Sequence, residues 1–217
     1  MNKKLIKLTT CAILLAMAIT LDLMTSMIPG LNLSMPLGGR FFGLALLPLL
    51  LIGFILGPTY GIGAGILYGI LGFFNDGYGL AFFADTLTDA LLVFFLDYII
   101  AFGALGITGF FKKGLKKPLV LILAISLALT LRFISSTIVG AILWATYASY
   151  HPWTQNLYNN VGQSALLYSA IYNGLYSLST LILILIIAVL IRKRINELTD
   201  TYILGHAEKE DIVVDKN

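Results

Sequence analysis

What most constrains this chain is a succession of apolar runs too long for a soluble core. Six stand out: Leu5–Ile28, Phe41–Leu56, Tyr60–Phe74, Ala90–Phe111, Pro118–Tyr147 and Ala165–Ile191. About 20 apolar residues carry a helix across the roughly 30 Å hydrocarbon core. Lipid offers the backbone no water, so such runs cross as helices that bond every N–H internally. The second and third runs are short and parted only by Gly57-Pro58. Only 12% of the 217 residues are charged, against about 25% in an ordinary soluble domain, which leaves little polar surface for a second domain. The expected fold is all-α: a polytopic membrane protein, a six-transmembrane-helix bundle over residues 1–195, followed by a polar cytoplasmic tail over 196–217. Ala81–Asp89 reads as an interfacial turn or the early part of the fourth helix. Lys3 and Lys4 ahead of the first run resemble a signal peptide. The run continues to Ile28 without a small-x-small cleavage site, so it reads as a retained helix.

Basic residues set the orientation. Lys3, Lys4 and Lys7 precede or open the first run, and Lys112, Lys113, Lys116 and Lys117 fill the loop between the fourth and fifth. Arg192, Lys193 and Arg194 follow the sixth. Six crossings with both termini in the cytoplasm put all three clusters on one side. The opposite loops, Gly30–Gly39 and Ser149–Ser164, contain no lysine or arginine, with Arg40 at the edge of the first. In the third run Gly61, Gly65, Gly69 and Gly72 recur at helical spacing. That bare stripe is the kind that lets a second helix pack closely in lipid.

Several function classes fall away. A net charge of +3 does not call for nucleic acid. Cys11 is the single cysteine, and His151 and His206 are the two histidines, too few for a Cys- or His-based metal cluster. Asp76, Asp85 and Asp89 read as solvated residues at the outer helix ends rather than metal ligands, and no cofactor is expected. No phosphate-loop motif is present, so the chain is not expected to hydrolyse ATP. No histidine lies within a run to serve an intramembrane hydrolase, so an enzyme is not expected.

The polar residues inside the runs carry the functional signal. Asp97 lies 15 residues before Lys112, and Arg132 lies 15 after Lys117. At 1.5 Å per residue both sit about 22 Å above the cytoplasmic loop. An isolated charge at the bilayer centre costs about 3 kcal/mol or more, and pairing is the usual remedy. A buried ion pair between Asp97 and Arg132 is therefore expected, as a structural clamp or as part of a site. Ser136 and Asn173 fall higher, in the outer half, with Trp144 and Tyr168 above them. Polar groups gathered at that depth suit a pocket loaded from outside. An ion-coupled secondary carrier using Asp97 and Arg132 is the rival reading, although carriers of that kind show two related halves with broken helices.

Here the residues resemble a known family. FLDYIIAFGALGITGFF, LRFISSTIVGAILWATYA, LLYSAIYNGLY and MPLGGRFFGLALLPLLLIGFILGPTYGIGAGILYGIL resemble segments of the thiamine-specific substrate-binding (S) components of energy-coupling factor transporters. Ala12 and Ala16 match the A-x-x-x-A pattern of the family's first helix. The resemblance implies a vitamin pocket near the outer face, a thiamine-like ligand, a transmembrane coupling subunit and two ATPase subunits as partners. It also implies a multi-pass place in a prokaryotic plasma membrane. By position it makes Asp97, Tyr98, Gly140, Trp144, Tyr168 and Asn173 ligand contacts. Ser136 stands where the family usually carries a histidine, and Gly39 stands where some members carry a tryptophan. Ala12 and Ala16 become the docking face for the coupling subunit.

Overall fold

A computed structural model describes residues 3–28, 32–76, 84–111 and 113–204. The chain forms α1 (Lys3–Met27), α2 (Leu46–Leu56), α3 (Pro58–Asn75), α4 (Leu87–Phe110), α5 (Pro118–Ile142), α6 (Pro152–Asn160) and α7 (Ala165–Leu198). A single antiparallel bridge, Ser34 with Arg40, is the strand-like pairing among the described residues. Among them, α1, α4, α5 and the α7 run are long and apolar enough to cross a membrane, whereas α2 is apolar but has 11 residues. All-helical architecture is thus as expected.

Helix ends follow from local chemistry. Pro58, Pro118 and Pro152 each occupy a first helical turn, where the missing N–H costs nothing. Gly57 separates α2 from α3 at φ +95°, a conformation other residues resist. Thr86 and Asp89 form a reciprocal cap at the start of α4. The second run is shorter as a helix than expected, because residues 41–45 belong to a turn. The fifth closes at Ile142 and tightens into a 3₁₀ turn, Trp144–Tyr150. The outer loop holds an unforeseen helix, α6. The last helix runs past the basic cluster, through Leu198 and a π turn at Thr199–Leu204. Residues 205–217 of the expected tail, Lys112, and residues 81–83 of the expected turn lie outside the described residues.

α4 is not uniform. Its middle, Phe94–Ile100, is a π turn, and Ala104–Phe110 is wound as 3₁₀. Its neighbour is α3, and the glycine stripe makes the contact. A side chain at Gly65 would strike the Phe102 carbonyl, and one at Gly69 the Tyr98 carbonyl. From the other side, Gly106 and Gly109 meet the α3 backbone at Ile62 and Pro58. Packing, not a ligand, accounts for these four glycines.

The bundle has two distinct ends. At one, Arg192 donates to the carbonyls of Leu115 (3.5 Å) and Lys116 (3.2 Å), and Lys116 pairs with Asp200 at 3.7 Å. The lysine loop and the basic end of α7 therefore meet. Leu49, Leu50, Ile52, Leu121, Ile125 and Ile184 fill the core between the ends. At the other end an aromatic cluster around Tyr168, Tyr172 and Tyr176 gathers under loop 32–45.

Candidate ligand-binding site

A cavity of about 600 Å³ opens at the end away from the lysines, within the range of small-molecule sites. Asp97, Tyr98, Ser136, Gly140, Trp144, Tyr168 and Asn173 all line it, and so does Arg132. These come from α4, α5, the following 3₁₀ turn and α7, so the fold brings the whole expected set together.

The π turn of α4 presents Asp97 and Tyr98. A π turn inserts an extra residue and turns adjacent side chains towards one face, and such turns favour functional positions. Ser135 Oγ anchors it by donating to the Leu96 carbonyl at 2.6 Å. Asp97 Oδ2 accepts from the Trp144 indole Nε1 at 3.1 Å. Tyr98 donates its hydroxyl to Asp76 Oδ2 at 2.8 Å. An acid and an indole ring are thereby held side by side, a pairing suited to a flat cation.

On α7, Asn173 is buried and hydrogen-bonded at both its amide nitrogen and its oxygen. Its Nδ2 donates to the Ser169 carbonyl (2.9 Å), Ser169 Oγ (3.1 Å) and the Ser136 carbonyl (3.5 Å), while Tyr176 donates to its Oδ1. Ser169 Oγ donates in turn to the Thr137 carbonyl at 2.8 Å. This network needs α5 and α7 to touch, and Gly140 permits it: a side chain there would collide with Ser169 Oγ. Gly140 thus serves helix packing at the cavity wall. Tyr168 is 2% exposed and packs edge-on against Tyr158, 5.6 Å away.

The expected ion pair is not formed. Among the described residues no salt bridge joins Arg132 to Asp97; the pairs there are Asp22–Arg40, Lys116–Asp200 and Arg194–Glu197. Arg132 lies over the Phe102 ring, 5.2 Å from its centroid, and its Nε is buried without a hydrogen-bond partner. The depth ruler assumed an even 1.5 Å rise along α4. The π and 3₁₀ segments change both rise and azimuth, and Asp97 turns towards Trp144 instead. A relay between Asp97 and Arg132, which the secondary-carrier reading requires, has no direct contact to run through.

Several lining residues were missed. Asp22 on α1 accepts from Arg40 at 2.7 Å, and Arg40 also donates to the Asp22 backbone carbonyl at 3.0 Å. A signal was present: Asp22 lies 15 residues after Lys7, the same offset that drew notice to Asp97. Asp76, expected to be only solvated, is exposed yet also lines the cavity and holds Tyr98. Among the described residues no cluster of metal-binding side chains occurs. Tyr172 straps the loop over the cavity, accepting from the Leu37 N–H (2.9 Å) and donating to the Gly38 carbonyl (2.8 Å). Gly39 sits at φ +86° directly on the Tyr176 ring, with no room for a side chain. A tryptophan at this position would not fit beside Tyr176, so the glycine belongs to the local packing.

Ala12 and Ala16 lie elsewhere. Both are exposed on α1, and Ala16 borders a shallow groove with Ile13, Met17, Thr20 and Leu21.

The family model described as "Thiamine transporter protein (Thia_YuaJ)" matches residues 8–200. The thiamine transporter ThiT of Bacillus subtilis (strain 168) is 28% identical over 200 residues, 88% of this chain and 92% of that protein. A solved structure of ThiT from Listeria monocytogenes superposes with a TM-score of 0.68 at 24% identity, covering 91% of this chain and 99% of that one. That structure shares the fold. With most of its length matched by the family model, the chain belongs to the thiamine transporter protein family, a membrane transport protein and not an enzyme.

Proposed function

We propose that this chain captures thiamine or a close relative from outside a prokaryotic plasma membrane and passes it to an energy-coupling factor module. In this reading the bundle crosses the membrane six times, with α2 and α3 among the crossings and both termini in the cytoplasm. A transmembrane coupling subunit and two ATPases supply the work, and Ala12 and Ala16 face the coupling subunit.

One observation carries the reading. Asp97, Tyr98, Ser136, Gly140, Trp144, Tyr168 and Asn173, singled out from sequence, converge on a single cavity. Its chemistry matches the ligand. The lining carries three carboxylates (Asp22, Asp76, Asp97) and two guanidiniums (Arg40, Arg132), with Asp22 and Arg40 paired, a formal balance of −1 that favours a monocation. Thiamine's thiazolium is such a cation, and the Trp144 ring beside Asp97 supplies an aromatic face for it. The other ring of thiamine, an aminopyrimidine, calls for donors and acceptors of the kind this wall carries.

Tryptophan fluorescence tests the assignment. Purified protein titrated with thiamine is expected to show saturable quenching, absent in a Trp144→Phe variant. If saturating thiamine leaves the emission unchanged while another vitamin quenches it, the substrate assignment fails.

A further inference from the structure

We propose that Arg132 is a specificity residue at the cavity wall, donating to an in-plane nitrogen acceptor of a neutral heteroaromatic ring on the same ligand whose cationic end lies at Asp97. The inference rests on the thiamine reading and names the part of the ligand that Arg132 selects.

Three observations lead there. First, Arg132 lines the cavity, yet its Nε is buried without an acceptor among the described residues, and no carboxylate there lies within ion-pair distance. The donors that the cavity reaches are the terminal guanidinium nitrogens, which make no hydrogen bond among the described residues, and an occupant that displaces water from them must offer an acceptor in its place. Second, the surroundings are flat and aromatic. The guanidinium carbon sits 5.2 Å from the centroid of Phe102, whose ring is 4.9 Å from that of Tyr68. A planar fork beside ring faces suits an aromatic ring whose edge carries lone pairs. Third, charge excludes an anion. The lining already carries one more carboxylate than guanidinium, so a phosphate or carboxylate would meet net repulsion, whereas a neutral ring nitrogen meets none.

The two thiamine rings separate the outcomes. Thiamine is compared with the benzyl analogue 3-benzyl-5-(2-hydroxyethyl)-4-methylthiazolium, which keeps the thiazolium and replaces the aminopyrimidine by a phenyl ring without nitrogens. Wild-type protein is expected to prefer thiamine strongly. Arg132→Met is expected to weaken thiamine about 10- to 100-fold, the size of a hydrogen bond to a charged group, while the cationic benzyl analogue, which has no ring acceptor to lose, binds at least as tightly as to wild type. The retained analogue binding also reports a folded variant. Equal losses for both compounds, or unchanged thiamine affinity, would overturn the proposal. If Arg132→Met binds neither, Arg132→Lys decides. Recovery of the preference for thiamine supports the donor role, and failure to bind either compound leaves Arg132 structural and the proposal overturned. Wild-type protein that binds neither compound refutes the thiamine reading itself, and this inference with it, before any variant is made.

Discussion

Asp97 is held by its neighbours in a way that makes its charge separable from its shape. The Trp144 indole donates to one carboxylate oxygen, and an asparagine oxygen accepts the same bond. Asp97→Asn is therefore expected to keep the local geometry and lose the negative charge. Binding of thiamine measured by fluorescence or calorimetry should weaken about tenfold or more, in line with the loss of a charge-assisted contact. Undiminished affinity would leave Asp97 with a structural role only. Asp97 was legible in sequence because an acid in an apolar run is rare and costly. Asp22 meets the same criterion, but its partner Arg40 sits in a loop, where depth counting gives no guidance. Tyr172 and Tyr176 were illegible for another reason. Tyrosines enrich both membrane interfaces, so nothing local distinguishes a strap over a cavity from an ordinary belt.

At the scale of elements, the contact between α3 and α4 is the clearest dependency of the site on packing. Gly65 faces the Phe102 carbonyl and Gly69 the Tyr98 carbonyl, so the stripe sets how near α4 lies and hence where its π turn presents Asp97 and Tyr98. Gly65→Leu is expected to force the helices apart, costing about 1–3 kcal/mol of stability. A thermal melt of the detergent-solubilised protein reads the loss, and a melt matching wild type would show that the stripe is not under packing constraint. The stripe itself was plain in the sequence, as were the apolar runs, because both depend on composition at fixed spacing. The π turn was not, since its extra residue arises from how α4 seats against α3 and α5 and has no residue code of its own. α6 was hidden by polarity: PWTQNLYNN carries no apolar run to draw attention, and its place under the aromatic cluster is set by tertiary contacts such as Thr154 donating to the Ala148 carbonyl at 2.6 Å.

Across the whole molecule, the proposed function divides the work of transport between the cavity and the first helix. α1 is the least embedded of the long helices: its buried residues are Ile6, Ala18 and Thr25, and most of its remaining surface faces outward. Within lipid, an outward apolar side chain is neutral, so exposure alone assigns no partner to it. Small residues at Ala12 and Ala16 differ in leaving a close approach open to another helix. If that approach is made by the coupling subunit, filling it should uncouple capture from delivery. Ala12→Trp and Ala16→Trp are expected to abolish thiamine uptake by cells carrying the complete transporter while leaving the affinity of the isolated chain unchanged. Ala12 and Ala16 lie ten and six residues, about 15 and 9 Å along the helix, from Asp22 at the cavity edge, and both are on the exposed face of α1, so the added indoles point away from the ligand. Leu190→Trp serves as the control, because Leu190 is 75% exposed on α7 and lies outside the α1 face under test. Loss of uptake in the alanine variants with a silent control places the coupling face on α1. Normal uptake in all three removes it, and loss in all three points to a general effect of bulk on insertion rather than to docking.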